Sequence, residues 1–292
     1  MRGIYQAIRI GIVTTILLAG AVVVFAQAAG QQQPQQQQPA PGGTPSNPAP
    51  PQAAPLTLEP SAPPVNAEED AALKVFRDMP NQDLAKKEQA AEDFLTKYPQ
   101  SRYRPEIYGW QVQYYRSKGE MDKMEATADK QLALFPNDPQ TLAVVGSTLP
   151  RAMNANTPDP GKRLAKAEQY CQKALEILPT ISKPEGLPEE VFQNAKNQTA
   201  AMAYSGLGTV DFRRGKYADA IPNFEKAVRM DPDPDPVNYY LLAYCNQKAS
   251  HFDDAVAAYT KCAAIPGGMQ ATCQQGVEEA KKLAATQLSA PK

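Results

Sequence analysis

The stretch GLGTVDFRRGKYADAIPNFEKAVRMDP, residues 206–232, decides how the chain is read. Gly206 to Arg214 has a helical period, Gly215 punctuates it, and a second amphipathic segment runs from Tyr217 to Met230. Small residues, Gly208 and Ala220, stand where two antiparallel helices have to touch, since a missing side chain there lets the backbones approach. Shifted by 35 residues, the same arrangement recurs: Tyr204 falls on Tyr239, Leu207 on Leu242, Gly208 on Ala243 and Tyr217 on Phe252. Ala220 then falls on Ala255, Phe224 on Tyr259 and Ala227 on Cys262. A period in this range is the mark of a solenoid, in which one hairpin leaves an apolar face that only a stacked neighbour can cover.

The order small residue, aromatic, Ala, aromatic, Ala, Pro resembles the tetratricopeptide repeat, and Ala201 to Pro232 carries nearly the whole pattern. Asp211 departs from it, standing where that family usually has an aromatic; Phe212 is its neighbour. The resemblance implies an all-α, right-handed solenoid of helix hairpins. Expected hairpins span 67–99, 105–136, 138–179, 189–232 and 236–266, with a capping helix over 269–288. In the hairpin 105–136, Val112 and Met124 hold the two small positions, twelve apart as elsewhere but larger. The hairpin 138–179 has its turn lengthened by NANTPDPG, residues 154–161, and the first helix of the next one is expected to begin near Glu189 and run long. The junctions FLTKYPQSRYRPE (94–106) and LALFPNDPQT (132–141) are similar to those of periplasmic repeat proteins of cell-envelope assembly and of the Tol-Pal accessory type.

Two other regions precede this one. Residues 1–28 place Arg2 and Arg9 before the apolar run IGIVTTILLAGAVVVFA and end in Ala26-Gln27-Ala28, a small-x-small site. That order predicts a cleaved secretion signal, with a retained membrane anchor as the alternative. Both export the remainder. Residues 29–66 are rich in Gln and Pro with a single charge, Glu59. Such a segment cannot bury enough apolar area to offset its ordering entropy and is expected to be a disordered tether, with a reach of about 100 Å if extended.

Catalytic chemistry is scarce. The chain has one His, His251, in a turn sequence, so His-based triads and His metal clusters lack their parts. DPDPDP (231–236) alternates acids like the start of a calcium loop, but no Gly or closing Glu follows at the required positions. It reads instead as a helix junction in which Asp235 caps and Pro236 opens the next helix. No phosphate-binding loop or dinucleotide fingerprint is present, so no cofactor is expected. The formal net charge of -1 offers no general attraction to nucleic acid. In repeat geometry Cys262 lies late in a second helix, opposite Cys273 early in the cap helix. Outside the cytoplasm this predicts a Cys262–Cys273 disulfide, with two buried thiols as the alternative. Cys171 and Cys245 read as packed residues.

In the resembled family the concave wall comes from the first helix of each hairpin. The candidate wall comprises Trp110, Gln113 and Arg116; then Ser205, Thr209, Phe212 and Arg213; then Tyr240, Leu241, Tyr244 and Lys248. Its aromatic and Arg side chains are common interface anchors, although Tyr and Trp at helical spacing also serve as core. The Lys and Asn set with which some members clamp a terminal carboxylate is not matched, which disfavours a C-terminal peptide. The expected function is a non-enzymatic scaffold in the cell envelope that holds a protein or peptide partner; a self-associating envelope component, or an enzyme or metal protein, are the alternatives.

Overall fold

The computed structural model describes residues 66–80, 83–184 and 186–289. The expected signal and tether, residues 1–66, lie outside the described residues apart from Asn66. Among the described residues the chain is helical and has no strand. The elements are α1 (Ala67–Asp78), α2 (Leu84–Lys97), α3 (Arg104–Lys118), α4 (Met121–Leu134), α5 (Pro139–Ala152) and α6 (Pro160–Ile177). A 3-10 turn, Leu178–Thr180, follows, and then α7 (Glu189–Arg213), α8 (Tyr217–Met230), α9 (Pro236–Lys248), α10 (Phe252–Ala264) and α11 (Gln270–Ser289). No described helix is long and apolar enough to cross a membrane.

Local chemistry sets the helix ends. Pro105, Pro139, Pro160 and Pro236 occupy first turns, where a backbone N–H is not needed. Asn66, Asp83, Asp138 and Asp235 cap their helices by accepting from backbone N–H groups of the first turn. Gly119 ends α3 and Gly215 follows α7 at φ of 73° and 75°, a left-handed conformation that costs Gly nothing.

The helices contact one another in chain order, each on its successor. First helices of adjoining hairpins also meet: α5 on α7 extensively, α3 on α5 and α7 on α9 more lightly. No described helices further apart in the chain share substantial contact, so the stack is open and does not close into a bundle. Its middle is α5, buried continuously from Thr141 to Ser147.

Close approach depends on missing side chains. A Cβ at Gly206 would lie 2.4 Å from Cys171 Sγ and 3.0 Å from the Gly146 carbonyl oxygen, and one at Gly146 would lie 2.5 Å from the same sulfur. Thus α5, α6 and α7 converge on Gly146, Cys171 and Gly206. The seam of α7 on α8 follows the same rule, since a Cβ at Gly208 would stand 3.0 Å from the Phe224 ring. Phe224 is fully buried there, along with Ala220, Ala227, Ala243 and Ala255; burying one such aromatic contributes about 2–3 kcal/mol. At the C-terminal end Gly276 leaves room for Tyr259, and a Cys262–Cys273 disulfide joins α10 to α11 with the Cα atoms 5.8 Å apart.

The first three helices are tied differently. Here α1 with α2, and α2 with α3, share much less contact. Leu73, Phe76, Ala91, Phe94 and Ile107 form a small apolar cluster, and charged groups do the bridging. Asp70 accepts from Tyr103 Oη at 2.6 Å and from Arg102 Nη2 at 2.9 Å. Arg77 pairs with Glu106 through Nε at 2.7 Å, Gln111 donates to Glu92 at 2.8 Å, and Tyr115 Oη donates to Glu88 at 2.5 Å. The buried Lys87 ammonium lies 4.9 Å from the Phe76 ring centre and 5.8 Å from that of Trp110. Burial pulls its pKa down, which Glu106 partly counters.

Candidate functional site

The sequence-predicted wall residues fall into three groups. The first is packed away. Thr209 is 2% exposed, Leu241 is 4% exposed, and Tyr240 is 7% exposed with its ring 5.7 Å from that of Tyr259. Trp110 is half-buried in the N-terminal seam, edge-on to Phe76 at 5.5 Å and stacked on Tyr114 at 5.2 Å. Helical spacing puts Tyr240 on the correct face of α9 for a first-helix wall, but α10 reaches across to cover it.

The second group forms an aromatic corner. Phe212 at the end of α7, Tyr217 at the start of α8 and Tyr244 on α9 meet edge to face, with centroids 5.6–5.9 Å apart. All three are partly buried against the core, and the exposed Lys248 places its ammonium 5.2 Å from the Tyr244 ring centre. Aromatic rings that keep part of their surface exposed beside a cation provide contact area at little entropic cost.

The third group is polar and spans α3 to α9. Asp235 caps α9 through one carboxylate oxygen, 2.9 Å from Val237 N, and receives Arg151 Nη1 at 2.6 Å on the other. Arg151 Nη2 also donates to Ser205 Oγ at 2.8 Å and to Asn238 Oδ1 at 2.6 Å, while Ser205 Oγ donates to Asn238 at 2.7 Å. Arg213 donates to the carbonyls of Pro150 (2.9 Å), Met153 (3.0 Å) and Arg151 (3.3 Å), which satisfies acceptors left over at the end of α5. Arg116 stands next to this set. Its pKa is lowered first by burial and then by the Arg151 charge, with Asp235 acting the other way.

A cleft of about 220 Å³ opens between α3, α4 and the start of α5. Gln113, Glu106, Gln131, Asp138 and Gln140 line it. Asp138, the α5 cap, accepts from Gln131 Nε2 at 2.7 Å and from Thr141 Oγ1 at 2.6 Å. Burial raises its pKa, against the lowering effect of the Thr141 hydroxyl and the backbone N–H groups. Gln131 Oε1 is buried without a partner.

The sequence reading missed Arg151 and Asn238, and gave Asp235 only its capping role. One signal was present: Arg116 shifted by 35 residues falls on Arg151, just as Arg213 falls on Lys248. The pairing of Arg151 with Asp235, 84 positions away, leaves no local trace.

Burial pushes the thiols of Cys171 and Cys245 up to about 12, so both stay protonated at neutral pH. His251 is exposed just before α10. Among the described residues no three His, Cys, Asp or Glu side chains are grouped to hold a metal. In 231–236, Asp231 accepts from Asp233 N at 3.1 Å while Asp235 caps α9, a turn-and-cap junction.

Comparisons with known proteins agree with the geometry. The tetratricopeptide repeat pattern matches residues 201–234, the hairpin of α7 and α8. Among solved structures, the chain is similar to the crystal structure of PilW, described as a widely conserved type IV pilus biogenesis factor. That likeness covers 76% of this chain and 93% of PilW, at 15% identity and a TM-score of 0.50, and it concerns the fold. No curated protein matches the sequence.

Proposed function

We propose that this chain, whose hairpin 201–234 matches the tetratricopeptide repeat, is a non-catalytic scaffold of the cell envelope that holds a protein or peptide partner on the wall formed by its first helices. The half-open corner of Phe212, Tyr217 and Tyr244 with Lys248 carries this reading, since it joins aromatic area and cationic charge on a rigid seam. Export is supported by the basic residues and apolar run of 1–28, and by a disulfide of a kind that is rare in reducing compartments. PilW is by its description a pilus biogenesis factor, which favours an envelope setting for a protein of this fold.

The test replaces Phe212 and Tyr244 together with Ala and captures partners from an envelope extract by photo-crosslinking. The expected result is a partner retained by the wild type and weakened at least about tenfold by the double variant, with helicity unchanged. Equal capture by both proteins would remove the corner as the docking surface. Association with further copies of itself alone would favour the self-assembling alternative.

A further inference from the structure

We propose that the chain binds part of its own Pro-rich segment: residues 59–65, EPSAPPV, fold back from Asn66 onto Trp110 and Tyr114 and cover the N-terminal end of the stack. This site is separate from the corner on α7 to α9 and does not depend on it. The receiving surface is on α3, where Trp110, Tyr114 and Lys118 follow at four-residue spacing along one face. The two rings are stacked, with centroids 5.2 Å apart and planes 10° from parallel, and both keep part of their surface exposed. The Trp110 indole N–H donates to no described residue and is not shut off from solvent. Lys118 is exposed, holds its ammonium 5.8 Å from the Tyr114 ring centre and pairs with no described carboxylate.

Aromatic surfaces of this kind take proline-rich strands, which are extended before they bind and whose carbonyls have no internal partner, so an outward indole N–H can serve one. Connection, register and charge name the occupant. Pro60-Ser61-Ala62-Pro63 has the spacing of such ligands and lies just before Asn66, the cap of α1. Helices α1 and α3 run parallel, since Asp70 meets Tyr103 and Phe76 meets Trp110. At a rise of about 1.5 Å per residue, Phe76 and Trp110 lie about 15 Å along from Asn66, and Tyr114 about 6 Å further. A strand folded back from Asn66 at about 3.1 Å per residue covers about 22 Å in seven residues. Pro60 then falls between the two rings, and Glu59 comes level with Tyr114, where the Lys118 ammonium waits. Glu59 is the only charge in 29–66, and Lys118 is of opposite sign. A solenoid needs a cover at each end. At the C-terminal end α11 supplies it, whereas α1 to α3 share the least contact.

The experiment uses the full-length chain, whose single Trp makes its fluorescence a report on this surface alone. Acrylamide quenching is compared in the wild type, the double variant P60S with P63S, E59K, K118E, and E59K combined with K118E. The quenching constant is expected to rise about twofold in the proline variant, as the indole loses its cover. A smaller rise is expected in E59K and in K118E, because an exposed ion pair contributes little, and the combined charge exchange should return toward the wild-type value. Neither the proline changes nor E59K alters a described helix, so circular dichroism should be unchanged and a failure to fold cannot mimic the effect. Equal quenching in the wild type and the proline variant overturns the proposal. Protection that fades when the protein is diluted about 100-fold also overturns it, since contact within one chain does not depend on concentration and the segment would then belong to a second copy. Phe212 and Tyr244 are untouched in every variant, so loss of partner capture at the corner and loss of indole protection are read separately.

Discussion

The hairpin of α7 and α8 and the assembly of α1 to α3 solve one problem by opposite means. In the first, Gly208 lets the Phe224 ring lie against the α7 backbone, and Gly206 lets α5 and Cys171 do the same on the other side. Contact is extensive, and the seam is almost wholly apolar. In the second the helices share little contact, and hydrogen-bonded charges span the gap: Asp70 with Tyr103 and Arg102, Arg77 with Glu106, Tyr115 with Glu88. The comparison teaches that close backbone approach at a glycine allows a hairpin to be sealed by dispersion and burial, whereas helices that share little contact are held by polar bridges.

The strongest way to break that comparison is Gly206→Val. Its side chain would enter the space of Cys171 Sγ and the Gly146 carbonyl, and backbone cannot yield as a flexible side chain does. A loss of about 3 kcal/mol or more is expected, above the usual overpacking cost, measured by urea denaturation. A neutral result would show that the three helices do not need the close approach. Opening the disulfide with the double change C262S and C273S comes next. With the cysteines 11 residues apart, the loop-closure estimate is about 3 kcal/mol at most. The loss should concentrate in α11, read as faster amide exchange there, leaving α1 to α4 unaffected.

Tyr115→Phe probes the polar side of the comparison. It removes the hydroxyl that donates to Glu88 while keeping the ring, and should cost about 1.5 kcal/mol of unfolding free energy, measured by urea denaturation. No change would mean that the bridges at the N-terminal end are ornamental, and that its small apolar cluster suffices. The smallest effect concerns Asp138→Asn. Burial raises the folded-state pKa of Asp138 above its usual 3.8, so the folded carboxyl holds its proton more tightly than the unfolded one. Relative to the wild type, whose protonation-linked stability is present below that value and lost as pH rises through the folded pKa, the Asn variant should therefore gain with rising pH. Parallel urea titrations at pH 3.5 and 7 check the sign.

Much of the fold was legible because it is written in spacing. Gly208 with Ala220 and Ala243 with Ala255 announce their crossings, and even Val112 and Met124, too large for the pattern, are buried at theirs. The long first helix beginning at Glu189 and the lengthened turn before α6 also follow from punctuation by Pro and Asp. The candidate site was legible only in part. Periodicity assigns a residue to a face, but whether α10 then covers that face is a tertiary fact, and so Tyr240 and Thr209 were misplaced on an open wall. Arg151 was passed over because its partners, Ser205, Asn238 and Asp235, come from two later helices. Asp235 was read as a cap, which it is, since a cap is local chemistry.

The Arg151–Asp235 bridge has a mechanical side. A stack whose members touch only near neighbours behaves like a coil spring, compliant to stretch and twist because no single strut spans several turns. This bridge runs from the end of α5 to the start of α9, past α7, and so pins two coils to each other. The stretch from α5 to α9 is thereby braced, and a load applied at the N-terminal end is taken up first by α1 to α3, which share the least contact.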